Sequence, residues 1–333
     1  MLEFALELAL FLIKAVIIVG SVLIIISSLA ALALKQKLSA KKFKFTNLSK
    51  KFNKTSADLK RQMLSDKEAK ADGKLEKKKA KQEKKKNSPC KSKLFVLDFN
   101  GDVKASSAES LRQCVTQILS LADPKNDEVL VRLESPGGMV SGYGLAASEL
   151  ARLRQADLKL TVAVDKVAAS GGYLMSCVAD KILAAPFAVV GSIGVVAGMP
   201  NFNKLLKKND IDYNVLTAGK YKRTLTVFGE NTEEGKEKFV EQLEQIHDLF
   251  KKFVNKYRPS LDMEKVGTGE YWFGEDAMNM GLVDSITTSE DYLLEQMKER
   301  EVFHLEHKEK QKLVEKLAES ATAFLQKSPI DFI

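Results

Sequence analysis

Apolar residues are distributed very unevenly along this chain. From Ala15 to Leu34, "AVIIVGSVLIIISSLAALAL" passes twenty residues without a charge. At about 1.5 Å per residue such a helix matches a hydrocarbon core of about 30 Å, so the pattern predicts a membrane-spanning helix. From Leu94 onward, short apolar runs alternate with stretches of three- and four-residue spacing. "LFVLDF" (94–99), "EVLVRLE" (128–134), "KLTVAVD" (159–165) and "KILAAP" (181–186) predict buried strands. Residues 107–122 and 140–155 predict helices between them, with Leu145, Leu150 and Leu153 among the apolar positions. Strands alternating with helices predict an α/β domain with a mostly parallel sheet of right-handed crossovers. A strong amphipathic helix is predicted over 232–257. Phe239, Leu243, Ile246, Phe250, Phe253 and Tyr257 mark one face, and Pro259 follows as a stop. The tail from Glu290 predicts a charged helical arm for packing or oligomerisation, with Leu313, Leu317 and Phe324 aligned.

Charge divides the chain in the same places. Residues 1–34 carry only Glu3, Glu7 and Lys14, whereas residues 35–93 hold 22 lysines and arginines against 6 acidic residues. That segment is +16 in a chain of +8, so the remainder sums to −8 and the folded body is not basic. A cleaved signal peptide is the alternative for the first segment, given the small pair Ala31 and Ala33. The apolar run is too long for an h-region of roughly 7–15 residues and lacks a basic n-region, so a retained anchor is expected. "EKKKAKQEKKKNSP" cannot bury enough apolar surface to offset its ordering entropy and predicts a mobile or partly helical spacer. A polybasic stretch lying on anionic lipid is a second reading, at about 1 kcal/mol per lysine near the surface. Nucleic-acid binding is not expected, because no aromatic residues interleave and no base-reading module adjoins. Cys90, Cys114 and Cys177 form no CxxC pair, so neither a metal site nor a disulfide framework is indicated. The expected organisation is an anchor (1–34), a Lys-rich flexible tether (35–92), an enzymatic domain (93–289) and a helical C-terminal arm (290–333).

Two glycine-bearing turns follow predicted strands: "ESPGG" (134–138) and "AASGG" (168–172). Carboxyl-end loops of a parallel sheet are where sites form. Ser170 stands between a strand and "GGYLMSCV", which places its hydroxyl at a helix start where backbone N–H groups are free. An oxyanion needs donors about 3 Å away. The Gly171 N–H is placed to be one, and the glycines of Pro136-Gly137-Gly138 offer a second. Ser-Gly-Gly is also ordinary turn chemistry. A serine nucleophile needs a base, and the three histidines do not supply one. His247 sits on a charged helix, and His304 and His307 in "FHLEHKEK" read as two solvated residues. A lysine can serve if burial lowers its pKa from about 10.4 to about 7–8, a cost of about 4 kcal/mol. "LTAGKYKRTLTVFG" (216–229) offers Lys220 and Lys222 beside Arg223 in a loop with few acidic neighbours. Spacing does not choose between the two lysines, and a surface basic turn is the bland alternative.

The ordered set "SPGG", "ASGGY", "GSIGV" and "GKYKR" resembles the bacterial signal-peptide-peptidase family of membrane serine proteases. The likeness covers roughly residues 93–285 and the anchored, Lys-rich N-terminal layout. Each motif alone is weak, but four in this order are specific. The resemblance implies the ClpP/crotonase-like α/β superfold, with an N-terminal transmembrane helix and a C-terminal helical extension. Carried across by position, the nucleophile falls on Ser170 and the general base on Lys222. Ser192 of "GSIG" matches the residue that orients the lysine, and Gly138 and Gly171 match the oxyanion donors. The implied substrates are hydrophobic peptides, such as remnant signal peptides or membrane-derived fragments, bound in extended form. A homo-oligomer is implied, and no cofactor or metal. Arg223 departs from relatives that often carry an acidic residue after the lysine. The family's place of action implies the periplasmic face of the inner membrane, whereas lysines after the anchor argue for the cytoplasm by the positive-inside rule. Two other readings of the same fold are a non-catalytic membrane scaffold and an acyl-CoA enzyme of crotonase type.

Overall fold

The computed structural model describes residues 2–39, 43–65 and 92–308. The chain divides into two units, one comprising Met1–Lys44 with His307–Ile333, the other Phe45–Glu306. In the first, helix α1 (Leu2–Ser39) contains a stretch, Leu10–Ser28, long and apolar enough to cross a membrane. Its side chains are exposed, including Val16 and Ile24.

The second unit is an α/β body around a seven-stranded sheet. After β1 (Phe43–Asn47) and helix α2 (Leu48–Met63) come β2 (Lys93–Asn100), helix α3 (Ala108–Leu121) and β3 (Glu128–Glu134). Helix α4 (Val140–Gln155), β4 (Lys159–Val164), β5 (Val167–Ala169), helix α5 (Gly171–Ser176), β6 (Lys181–Ala184) and β7 (Val189–Gly191) follow. The second half holds α6 (Asn203–Lys208), α7 (Glu233–Tyr257), α8 (Met263–Val266), β8 (Tyr271–Phe273) and α9 (Gly274–Asn279), then β9 (Ser285–Ile286), α10 (Ser289–Glu299) and β10 (Glu301–His307).

The large sheet has the order β1-β10-β2-β3-β4-β6-β9, and β5, β7 and β8 form a small second sheet. β10, β2, β3, β4, β6 and β9 pair in parallel, with Leu94 opposite Glu128 and Val129 opposite Leu160. Strands buried on both faces explain the near-continuous apolar runs of the sequence. Alternate residues Leu94, Val96, Leu130, Leu183 and Val302 meet Tyr292 and Leu293 of α10 in one core cluster. Glu128 lies at the foot of this layer, fully buried. It accepts hydrogen bonds from Tyr292 Oη (2.5 Å), Thr161 Oγ1 (2.7 Å) and Arg300 (2.7 Å), so the buried charge is satisfied.

Two expectations need correction here. Part of the stretch expected as flexible tether is folded: β1 joins the sheet, and Ser49 Oγ accepts from the Val302 N–H at 3.0 Å. Among the described residues, the expected helical arm from Glu290 is helical to Glu299. Then "EVFHLEH" becomes a parallel sheet strand beside β2, because pairing there buries Val302 and Leu305 in the core. Cys90 and the aligned Leu313, Leu317 and Phe324 lie outside the described residues.

Candidate active site

Ser170 is the hinge between β5 and α5. Its N–H donates to Gly191 O at 2.8 Å, and its carbonyl accepts the first helical bond from Leu174 N at 2.9 Å. Its backbone stands at φ +52°, ψ −117°, a region that L-residues rarely enter and that costs on the order of 1–3 kcal/mol. Neighbouring backbone holds it there. Ser135 at the end of β3 takes the Ala169 N–H at 3.0 Å and gives its own N–H to Val167 O at 2.8 Å. A Cβ on Gly172 would lie 2.6 Å from Ser135 O, and one on Gly171 would strike the Tyr143 ring. The two glycines of "SGG" are therefore steric requirements.

The second glycine turn lies directly against Ser170. At Gly137 (φ +88°) a Cβ would stand 2.7 Å from Ser170 Cβ and 2.8 Å from Gly171 N. A directed chain of hydrogen bonds fixes this turn. The Gly137 N–H donates to Ser135 Oγ (3.1 Å), the Ser135 hydroxyl lies 2.6 Å from Tyr143 Oη, and Tyr143 donates to Asp102 O (2.8 Å). Tyr143 is fully buried, and burial pushes its phenol pKa upward, so it stays a donor. On the far side, Met139 N donates to Val103 O at 2.7 Å, and Gly138 packs so tightly on Val103 that no Cβ fits. Among the described residues, the N–H groups of Gly138 and Gly171 take no part in this bonding and remain available.

Ser192 sits on the adjoining loop after β7. Gly191 and Ser192 both have positive φ, +105° and +53°, and the Ser192 N–H donates to Glu270 O at 2.6 Å. Gly191 accepts from Ser170 N, so one backbone bond joins the Ser192 loop to the nucleophile turn. The following residue, Ile193, has its carbonyl 3.1 Å from His247 Nε2. The sequence reading missed Ser135, Tyr143 and Glu270, and set His247 aside as a residue of a charged helix. Ser135 and Tyr143 were visible beside "SPGG", but their roles depend on contacts to Asp102 and Gly137 that spacing does not reveal.

Lys222 lies on the irregular stretch between α6 and α7, exposed, its N–H bonded to Gly219 O at 3.2 Å. Among the described residues, its amine has no ion pair and no hydrogen bond to Ser170 or Ser192. Lys220 is committed elsewhere. It pairs with Glu234 at 2.5 Å, and the hydrogen bond to Glu234 raises its pKa, the wrong direction for a base. This loop also departs from its reading as one with few acidic neighbours, because the first turn of α7 brings Glu234 against it. The structure thus gathers Ser170, Gly138, Gly171 and the Ser192 loop, and leaves Lys222 at the surface.

His304 is not solvated as expected. It is buried on β10 with Nε2 2.9 Å from Asp98 Oδ2, although the angle misses hydrogen-bond alignment. Asp98, His304 and Glu306 could together reach one metal ion, but Arg132 already grips both oxygens of Asp98, at 2.6 and 2.9 Å. The cluster reads as an ion-pair network across β10, β2 and β3. Cys114 and Cys177 are small core residues, and burial pushes the Cys177 thiol far above its usual range.

The geometry is that of a strained serine turn beside paired glycine loops on a mostly parallel α/β sheet. Comparison with known proteins narrows it: residues 3–150 match the N-terminal model of peptidase family S49, and residues 152–303 match the peptidase family S49 model. The chain belongs to peptidase family S49. It is 57% identical over 231 residues to "Probable protease SohB" of Haemophilus influenzae, covering 69% of this chain and 65% of that protein. The chain thus spans just under two thirds of that relative's length. It is 55% identical over 232 residues to "Probable protease SohB" of Buchnera aphidicola subsp. Acyrthosiphon pisum, covering 70% and 69%. A solved 1510-N membrane-bound stomatin-specific protease is similar at 14% identity and a TM-score of 0.42, over 70% of this chain and 99% of that one.

Proposed function

We propose that this chain is a membrane-anchored serine endopeptidase that cuts hydrophobic peptides with a Ser170–Lys222 dyad. The observation that carries the reading is the strained Ser170 turn, with Gly137 pressed against it and the Gly138 and Gly171 N–H groups free. Ser170 Oγ attacks the scissile carbonyl carbon as Lys222 Nζ takes its proton. The two N–H groups receive the oxyanion. The tetrahedral adduct then collapses, the amine leaves with the proton from Lys222, and water hydrolyses the acyl-serine ester with Lys222 as base again.

A general base must accept a proton, and Lys222 stands exposed on its loop. A peptide laid over the site, or a second copy of the chain, supplies the covering that disfavours the charge. The substrate class follows from the segment after Ser192. Val196, Met199 and Phe202 are exposed, and residues 195–201 make no backbone–backbone hydrogen bond among the described residues. Such an edge can pair with an extended apolar peptide. Leu216, almost fully exposed on the lysine loop, favours self-association. The catalytic body is placed on the periplasmic side of the inner membrane.

A fluorophosphonate probe on the detergent-solubilised full chain tests the reading. Labelling is expected in wild type and absent in Ser170→Ala, while Lys222→Ala should fold normally and lose at least ~100-fold in peptide turnover, the scale of general-base catalysis. Equal labelling of wild type and Ser170→Ala would overturn it in favour of a scaffold that retains the fold.

A further inference from the structure

Helix α7 touches the lysine loop, the residue after Ser192 and helix α5. Near its start, Glu234 accepts from Lys220 at 2.5 Å and from Tyr221 Oη at 3.2 Å, and Lys238 stands 5.3 Å over the Tyr221 ring. These contacts fall on the two residues just before Lys222. At its far end, Arg258 grips Asp284 at 2.7 and 2.8 Å and Gly281 O at 3.0 Å. That same segment accepts the Tyr173 hydroxyl through Leu282 O at 3.0 Å, and Tyr173 lies on α5 behind Ser170. α5 and α7 also pack directly. Glu234 and His247 are about 20 Å apart along the axis, and His247 and Arg258 about 16 Å, at 1.5 Å per residue.

His247 is the attachment in the middle. A carbonyl can only accept, so Nε2 must carry the hydrogen it gives to Ile193 O. The peptide unit between Ile193 and Gly194 is then held at both ends, because the Gly194 N–H donates to Ser192 O at 2.9 Å. This unit follows Ser192, whose own backbone is strained at φ +53°, and Ile193 is fully buried. Strained turns persist only where their surroundings over-determine them. Glu270 O holds the Ser192 turn from one side, and His247 holds it from the other.

We propose that His247 is a positioning residue. Its Nε2–H fixes the Ile193–Gly194 peptide, and α7 thereby sets the Ser192 loop against both the lysine loop and the nucleophile helix. This rests on the peptidase reading but adds a residue that the dyad chemistry alone does not require. A histidine that merely filled a helix surface would tolerate any polar replacement. A positioning donor would tolerate only one that returns an N–H to the same point.

Glutamine places its amide nitrogen near Nε2, whereas asparagine falls short. The full chain and its His247→Gln, His247→Asn and His247→Ala variants are compared on an internally quenched, leucine- and alanine-rich peptide. His247→Ala and His247→Asn are expected to lose about tenfold in kcat, the worth of one hydrogen bond at the upper end of its usual range, with KM changed less than about twofold. His247→Gln is expected to stay within about threefold of wild type. Fluorophosphonate labelling of Ser170 in every variant separates the two levels: its absence from wild type sinks the peptidase reading. Labelling with unchanged kcat in His247→Asn, or equal losses in the Gln and Asn variants, overturns the positioning role alone.

Discussion

Gly137 is where a single methyl group decides most. Its φ of +88° is unfavourable to any L-side chain, and the added Cβ would stand 2.7 Å from Ser170 Cβ. Gly137→Ala is therefore expected to lower stability by about 1–3 kcal/mol and to reduce turnover far more than that loss explains. Gly144 supplies the contrast, because a Cβ there meets nothing within 4 Å and the residue lies inside α4. Gly144→Ala should raise stability by about 0.5–1 kcal/mol and leave turnover unchanged. Urea unfolding and peptide hydrolysis on both variants check the pair, and a harmless Gly137→Ala would mean the turn does not press on Ser170. At this scale the sequence was legible where one residue type has one use. Ser170 and its flanking glycines announced a strand-to-helix turn, and the structure places them in one. Tyr143 and His247 were not legible. Tyr143 reads as one more apolar position of a helix, and His247 meets its partner 54 positions away.

Secondary-structure elements were legible wherever the apolar period was undisturbed. "EVLVRLE" and residues 140–155 match β3 and α4 to the residue, because buried parallel strands and their crossover helices differ in period. β10 was hidden because its polar positions Glu301, His304 and Glu306 look like a helical arm until the Arg132–Asp98 pair beside His304 is seen. That network ties the last strand to the centre of the sheet and makes its stability pH-dependent. Burial raises the pKa of Asp98, but His304 and the Arg132 guanidinium outweigh it and hold the carboxyl at about 2. An unfolded aspartate titrates near about 3.9. A depressed folded value means the contribution is complete above about pH 4 and is lost as pH falls towards 2. Urea midpoints of wild type and Asp98→Asn should therefore differ above about pH 4 and converge between about pH 4 and pH 2. A gap that persists unchanged at the acid end would show that the carboxylate charge is not what joins β10 to β2.

At the scale of the whole chain, three compositions set a conflict about which way the protein faces. The side before the apolar stretch carries Glu3, Glu7 and Lys14, and the side after it carries Lys35, Lys37, Lys41, Lys42 and Lys44. Only positive charges within about 15–20 residues of a span weigh on orientation, and these five all do, in favour of a cytoplasmic body. Long folded domains are translocated largely regardless of such charges, and the segment beyond residue 93 sums to an acidic charge that offers no further retention. Our reading places the body in the periplasm, where cleaved leader fragments and other apolar peptides would meet the edge at residues 195–201. Trypsin distinguishes the two arrangements because residues 66–91 are dense in lysine, between the anchor and the body. Added to intact spheroplasts of a Gram-negative host expressing the full chain, trypsin is expected to cut in that segment, so that residues 92 onward run apart from the anchor on a denaturing gel, with a cytoplasmic marker protein left whole. If cutting waits until the membrane is lysed, the lysines have set the orientation. The site would then act on peptides presented at the cytoplasmic face, and the same Ser170 chemistry would need a different supply of substrate.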